Sequence, residues 1–266
     1  MKKLWTGSMI LILVLSLHGQ SFNFEELTSK EIRELAKANV TVIVPMAQIE
    51  NHGLYLPVAT DLYLTQEISR KAAEKNGKSI VAPAIQLGNC SDYTAWPGYI
   101  VVRNQTFLDI VEDYLSSLKQ QGFHNVVFYL MHGGHNFNSI DIAVSEKNRE
   151  LGMKVQIVNM NVLMSPIWKE VSELLLKGQI DPELAMMMAL KPNLIKNEKS
   201  AGKIAQPQWP SFMGLGRYYD PEYTLDKIAP DGMVTYSEKA TAAIGDKLLD
   251  MLSSGLAERV LKRFTG

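Results

Sequence analysis

Two short segments of this sequence concentrate side chains that can bind a metal ion or move a proton. The first begins with Glu50-Asn51-His52-Gly53 and ends at Asp61, and the second is His132-Gly133-Gly134-His135-Asn136-Phe137-Asn138. Three of the five histidines in the chain lie in these two segments. This concentration predicts that both segments contribute to one site.

The first segment carries two carboxylates and an imidazole at a spacing that can bring them together. Glu50 and His52 are two residues apart, so in an extended chain their side chains project to the same side. Gly53 and Pro57 can turn the chain and return Asp61 to them. Carboxylate and imidazole groups are the ligands expected around zinc, manganese or iron in a hydrolytic site.

In the second segment, two histidines flank two glycines. Gly133 and Gly134 allow a tight turn and a close approach of the backbone to a ligand. The segment lacks the spacing of the phosphate-binding loops GxxxxGK[ST] and GxGxxG. We therefore interpret His132 and His135 as candidate site residues on a loop, and we do not expect a nucleotide there.

Both segments follow stretches whose composition predicts a β-strand. Predicted strands cover 40–44, 79–82, 126–130 and 155–158, and predicted helices cover 62–75, 106–121, 140–151 and 238–263. Thr60 or Asp61 is placed to cap the first of these helices, and a long loop is expected over 191–234.

Strands that alternate with helices at this spacing imply parallel pairing with helices on both faces of the sheet. The predicted fold class is therefore α/β, a single-domain three-layer sandwich with a mostly parallel sheet over 22–266. Open parallel sheets place their sites beyond the carboxyl ends of the strands, which is where both segments lie.

The composition of the chain excludes several classes of partner and site. The formal net charge of −1 gives no electrostatic reason to expect nucleic acid or an anionic membrane as a partner. Cys90 is the only cysteine, so neither an intrachain disulfide nor a site built from several thiolates can form. Any metal must be held by nitrogen and oxygen ligands.

The first residues resemble a secretory signal peptide. Lys2 and Lys3 precede a short apolar run over 9–17, and a polar segment follows. We expect 1–21 to be removed on export to the periplasm or the exterior, with no stable membrane insertion afterwards. The alternative is an uncleaved N-terminal anchor, although the run is shorter than the roughly 20 apolar residues that span a bilayer.

The chemistry-bearing segments also resemble the creatininase family, which comprises creatinine amidohydrolase and its relatives. The specific resemblance is to the element Glu-x-His-Gly-x-x-Leu-Pro and the aspartate that follows it, matched here by Glu50, His52, Gly53, Leu56, Pro57 and Asp61. Weaker resemblances follow in the same order, at Trp96-Pro97-Gly98-Tyr99, Gly122-Phe123, 133–138 and Ala189-Leu190-Lys191-Pro192.

This resemblance implies a metal-dependent amidohydrolase that cleaves a C–N bond of a small amide, cyclic amides included, with a metal-activated water. It implies two divalent ions per chain (zinc, manganese or iron), with Asp61 as the bridging ligand between them. The ligands carried over by position are Glu50, His52, Asp61 and His135. The resemblance also implies a homo-oligomer.

Two departures from the family pattern bear on the last ligand and on the proton donor. Some members place a ligand glutamate where this chain has Phe137, and others place it in a later element that aligns with 178–183, so that Asp181 takes its position and Glu183 is a near alternative. The histidine of that element is Gly178 here, which leaves His132 as a candidate proton donor. Trp96 and Phe137 are the predicted walls of the substrate pocket.

Two other interpretations of the sequence remain open. The substitutions at Phe137 and Gly178 suit an exported small-molecule-binding protein that keeps the fold with little or no catalysis. A serine hydrolase using Ser139 or Ser91 would need a nucleophile elbow, and the sequence contains no G-x-S-x-G.

Overall fold

A computed structural model of the chain describes residues 21–89, 94–131, 134–196, 225–230, 232 and 237–264, and the side chains of 134–138, 225 and 228 are not described. Among these residues the strands are β1 Thr41–Met46, β2 Ser79–Val81, β3 Asn125–Leu130 and β4 Lys154–Asn159. The helices are α1 Ser29–Lys37, α2 Thr60–Asn76, α3 Asn104–Gln120, α4 Gly134–Leu151, α5 Met160–Met164, α6 Trp168–Leu174, α7 Pro182–Leu190, α8 Leu225–Ile228 and α9 Ala242–Gly255.

The strands form one parallel sheet in the order β2-β1-β3-β4. β1 and β3 are central, and all six residues of each are buried. Burial on both faces suits their apolar sequences, Thr-Val-Ile-Val-Pro-Met and Asn-Val-Val-Phe-Tyr-Leu. Met46 pairs with Leu130, so the chain leaves both strands at the same edge of the sheet.

Helices cover the two faces of this sheet and divide the core in two. On one face, Ile43, Val127 and Tyr129 pack against apolar residues of α2, α7 and α9. On the other face, Val42 and Phe128 pack against α1, α3 and α4. This arrangement confirms the predicted α/β sandwich with a parallel sheet between helical layers.

Several helix boundaries differ from the sequence-based expectation. Helix α2 begins at Thr60, and Ala59 is its N-cap residue with no side-chain cap, so neither Thr60 nor Asp61 caps it. Helix α4 begins at Gly134 and not near residue 140, because the glycine-rich segment enters the helix directly. Helix α9 ends at Gly255. A π-helical turn, Leu256–Val260, and a short 3₁₀ segment, Leu261–Phe264, follow it directly.

Within the described ranges, no helix has the length and apolar character needed to cross a bilayer. The predicted signal peptide lies outside the described residues, as does most of the expected loop over 191–234.

Candidate metal centre

The connection between β1 and α2 carries the first candidate residues. It covers 47–59 and contains neither helix nor strand. The Glu50 N–H donates to the Val58 carbonyl at 3.1 Å, which brings the two ends of the connection together. Gly53, with φ of 72°, turns the chain between them, and the buried side chains of Tyr55 and Leu56 anchor the far end. Glu50 and His52 are thereby held over the start of α2.

Asp61 comes to the same place from the first turn of α2. Its side chain is almost completely buried, with 1 % of its surface exposed. The N-terminus of a helix favours a carboxylate because unpaired N–H groups and the helix dipole both attract negative charge. The Thr65 hydroxyl donates to the Asp61 carbonyl at 2.6 Å, which fixes the backbone of this turn.

The three side chains meet in one buried cluster. A ligand atom of Glu50, of His52 and of Asp61 all lie within 4.8 Å of one another, and each residue is at most 3 % exposed. His52 Nε2 lies 3.1 Å from Asp61 Oδ1, and His52 Nδ1 lies 3.1 Å from the Glu50 carbonyl oxygen. The Glu50 carbonyl thus orients the ring and turns Nε2 toward the carboxylates.

The pKa of His52 is set by burial and by the carboxylates around it. Burial alone would lower this pKa, because a charged ring is poorly solvated there. The charge and hydrogen bond of Asp61, together with the charges of Glu183 and Glu50, outweigh burial and raise the pKa to about 10. The cluster therefore favours a positive charge at its centre, either a proton on His52 or a metal ion.

The N-terminal end of α7 brings two more carboxylates toward His52. Asp181 is the N-cap residue, and its Oδ1 accepts from the backbone N–H groups of Glu183 at 2.9 Å and Leu184 at 3.1 Å. Glu183 lies in the first turn with its side chain 20 % exposed, and its Oε2 is 3.7 Å from His52 Nε2. Burial raises the pKa of Glu183 to about 8, helped by Asp61, Asp181 and Glu50 and opposed by His52.

The geometry therefore brings the alternative, Glu183, to the cluster, whereas Asp181 Oδ1 is engaged at the helix end. The assignment of the last ligand stays a prediction. A sequence signal for this difference exists: an aspartate followed by proline is a typical N-cap and first helical position, so Asp181-Pro182 indicates a capping role.

Six other candidate residues either make contacts outside the cluster or lie wholly or partly outside the described residues. The Trp96 side chain is 4 % exposed, and its indole N–H donates to the Ala229 carbonyl at 3.0 Å. His132 lies outside the described residues, and the side chains of His135 and Phe137 are not described, although their backbone lies in the first turns of α4. The Ser139 hydroxyl donates to Asn104 Oδ1 at 2.8 Å, an exposed contact that offers no base to a nucleophile. Ser91 lies outside the described residues.

The donor set fits a hard or borderline divalent cation. Two carboxylates and one imidazole, buried and converging, are the ligands that zinc and manganese take in proteins. Like charges at this separation repel one another unless a proton or a cation lies between them. Glu50, His52 and Asp61 are the residues that would hold the ion, with Glu183 as the nearest additional carboxylate.

The sequence of the chain is similar to those of known hydrolases. The profile of the family described as "Creatininase: Creatinine amidohydrolase" matches residues 25–260. Creatinine amidohydrolase of Pseudomonas putida is 24 % identical over 270 residues, which cover 90 % of this chain and 96 % of that enzyme. The 3-dehydro-scyllo-inosose hydrolase of Thermotoga maritima is 25 % identical over 138 residues, covering 52 % of this chain and 44 % of that enzyme.

Solved structures share the fold at lower sequence identity. A manganese form of creatininase superposes with a TM-score of 0.79 at 20 % identity, covering 93 % of this chain and 100 % of that one. A Zn–Zn form of a creatininase variant gives a TM-score of 0.79 at 19 % identity, with the same coverage of both chains. The likeness in fold extends over almost the whole chain.

Proposed function

Because the chain belongs to the creatininase family, we propose that it is a metal-dependent amidohydrolase that cleaves a C–N bond of a small amide. The observation that carries this proposal is the buried cluster of Glu50, His52 and Asp61, whose ligand atoms lie within 4.8 Å of one another. A folded protein gains nothing from burying two carboxylates together unless a cation compensates for their charge.

Hydrolysis adds water across the amide bond: the oxygen joins the carbonyl carbon, the C–N bond breaks and a proton goes to the leaving nitrogen. Divalent ions bound at this site would lower the pKa of a water molecule and polarise the substrate carbonyl. The chain's own part is to hold the ligands rigidly. The Glu50 carbonyl fixes the His52 ring through Nδ1, and burial of the cluster keeps bulk water from screening its charges.

We further propose two ions per chain, which are zinc, manganese or iron. Glu50, His52, Asp61 and His135 would hold these ions, and Asp61 would be the ligand shared between them. Glu183 is the better candidate than Asp181 for the last ligand, because its Oε2 lies 3.7 Å from His52 Nε2. His132 is the proposed proton donor to the leaving nitrogen, because it lies close in sequence to the proposed ligand His135.

The biological setting is part of the same proposal. We expect an exported protein, because the N-terminal pattern is that of a signal peptide. We expect a homo-oligomer from membership of the family. Mass spectrometry of the mature N-terminus and light scattering of the purified protein test these two statements separately, and an intact residue 1 or a monomeric mass would contradict them.

The first experiment is elemental analysis of protein purified without chelator, followed by assay on cyclic amides, lactams and formamides. We expect about two ions per chain and hydrolysis of at least one of these classes. Asp61→Asn should lose metal and at least about 10³-fold in kcat/KM, since a metal ion contributes several kcal/mol to the reaction. Asp109→Asn, at an exposed position on α3, is the control and should keep both metal and activity.

The outcomes distinguish a metal-dependent hydrolase from a small-molecule-binding protein with the same fold. Metal at full stoichiometry in Asp61→Asn would contradict the ligand assignment. A wild-type protein that binds no zinc or manganese, even when these are added, would refute the catalytic proposal and leave a small-molecule-binding protein on the same fold.

A further inference from the structure

A residue pair late in the chain is connected to Trp96, far from it in sequence. The Ala229 carbonyl accepts two hydrogen bonds at 3.0 Å, one from the Gly232 N–H and one from the indole N–H of Trp96. Ala229 is fully buried, and Trp96 is nearly so. Because water cannot replace the indole donor at a buried carbonyl, this contact fixes the Ala229/Gly232 pair to the 94–100 region.

Gly232 in turn packs directly on the segment that carries the metal-site residues. A Cβ added at Gly232 would lie 2.7 Å from Gly53 Cα and 2.9 Å from Gly53 N, and it would also overlap Asn51 Oδ1. Gly53 N–H donates to Asn51 Oδ1 at 2.9 Å, so these two residues form one tight unit. Only glycine leaves room for this contact, and its φ of 96° also favours glycine.

The two residues of this unit flank the candidate ligand His52 in sequence. Asn51 separates Glu50 from His52, and Gly53 follows His52 directly. The 47–59 connection has no helix or strand to hold these residues, so contacts from other segments must do so. The Ala229/Gly232 pair supplies such a contact from the side of Asn51 and Gly53.

We propose that Trp96 and Gly232 are positioning residues for the metal centre. Trp96 fixes the Ala229/Gly232 pair through its indole N–H, and Gly232 holds Asn51 and Gly53, so that Glu50 and His52 stay within reach of Asp61. Trp96 acts on the metal centre through this contact. Only the metal-binding measurement below rests on the proposed function.

The first test measures the positioning without any metal. Trp96→Phe keeps an aromatic ring and removes the N–H donor, whereas Trp168→Phe changes an exposed tryptophan (58 %) on α6 and is the control. The measurement is made on the full-length protein in the presence of chelator. In Trp96→Phe we expect the hydrogen-exchange rate to rise about tenfold in peptides covering 47–58 and to stay unchanged in peptides covering β3. Exchange in 47–58 that matches wild type would overturn the proposal.

The second test measures metal affinity with a matched pair of glycine substitutions. Gly232→Ala and Gly122→Ala both force alanine to a positive φ, 96° and 94°, so their backbone strain is similar. A Cβ at Gly122 would make only an ordinary contact, 3.6 Å from Ala36 Cβ. We expect the Kd for zinc, measured by competition with a chelator, to rise about tenfold in Gly232→Ala and to stay at the wild-type value in Gly122→Ala.

The two readouts separate the possible failures. A purely structural role would lower the stability of Gly232→Ala and leave its zinc Kd at the wild-type value, which would overturn the proposal. If wild type binds no zinc but Trp96→Phe still accelerates exchange in 47–58, the positioning stands and the proposed hydrolase function fails.

Discussion

The connection between β1 and α2 and the N-terminal end of α7 both bring carboxylates to His52, but they hold them in different ways. The connection depends on distant segments: the Ile100 N–H donates to the Ile49 carbonyl at 3.0 Å, and the Lys196 N–H donates to the Tyr55 carbonyl at 2.9 Å. The α7 end is held by its own cap, where Asp181 accepts from the backbone N–H groups two and three residues later.

This difference indicates how each half of the site tolerates change. A helix end positions its side chains through local hydrogen bonds, which form as the helix forms. An irregular connection positions its side chains only when the rest of the chain is folded around it. Substitutions on α7 should therefore affect one carboxylate at a time, whereas loss of a distant contact should disturb Glu50 and His52 together.

The largest effect that sharpens this comparison is expected from Glu183→Gln. The substitution keeps the side-chain shape and the Asp181 cap but replaces the carboxyl group, whose Oε2 lies 3.7 Å from His52 Nε2, with an amide that cannot become an anionic ligand. We expect zinc affinity to fall by about 10- to 100-fold, the range found when groups around a metal site are removed. Isothermal titration measures this Kd, and Glu173→Gln on the short helix α6 is the control.

Hydrogen exchange of Glu183→Gln should be unchanged in peptides covering 47–58, because α7 positions Glu183 independently of that connection. Faster exchange there would show that the two regions depend on each other, which would contradict the statement that each holds its carboxylates independently. Unchanged zinc affinity would exclude Glu183 as a ligand and return that role to Asp181.

The two regions also differ in how far the sequence predicts them. The sequence predicts Glu50, His52 and Asp61 as a group for two reasons. Their spacing and the turn residues between them lie in one short segment, and the carboxyl ends of parallel strands lie at the same edge of a sheet. The choice between Asp181 and Glu183 is harder to predict, since either carboxylate fits the spacing and only the capping pattern Asp181-Pro182 distinguishes them. The contact of Gly232 with Asn51 and Gly53 cannot be predicted from the sequence, because it joins residues far apart in the chain through the close fit of their atoms.

The start of α4 shows the same limit at short range. Two adjacent glycines favour a turn, and the sequence therefore predicts a loop through 132–138. The structure begins the helix at Gly134, since the packing of α4 on α3 and the sheet outweighs the cost of a glycine in the first turn.

A smaller effect is expected from pH, and it involves both regions at once. The pKa values of His52 and Glu183 are raised to about 10 and about 8, from ordinary values of 6.5 and 4.5. The folded, metal-free protein therefore holds more protons than the unfolded chain over pH 6.5–8, and its stability must fall as the pH rises through this window. We expect a loss of about 3 kcal/mol, measured by urea unfolding in the presence of chelator.

Bound zinc should abolish this dependence, because the ion takes the place of the protons at the cluster. His52→Gln should remove part of the slope in the metal-free protein, leaving the part due to Glu183. A metal-free protein whose stability is constant or rises from pH 6.5 to 8 would contradict the charge arrangement described for the cluster.

The smallest effect is expected at Asp181, where the two roles of a carboxylate can be separated by the choice of substitution. Asp181→Ala removes the cap of α7 and should cost about 1 kcal/mol of the free energy of unfolding, whereas Asp181→Asn keeps a capping side chain and should cost much less. If Asp181 only caps, zinc affinity is unchanged in Asp181→Asn, because the amide oxygen still accepts from Glu183 and Leu184 and leaves the Glu183 carboxylate beside His52. If Asp181 is itself a ligand, Asp181→Asn loses zinc affinity while keeping its stability, and the helix end then serves the metal directly as well as through Glu183.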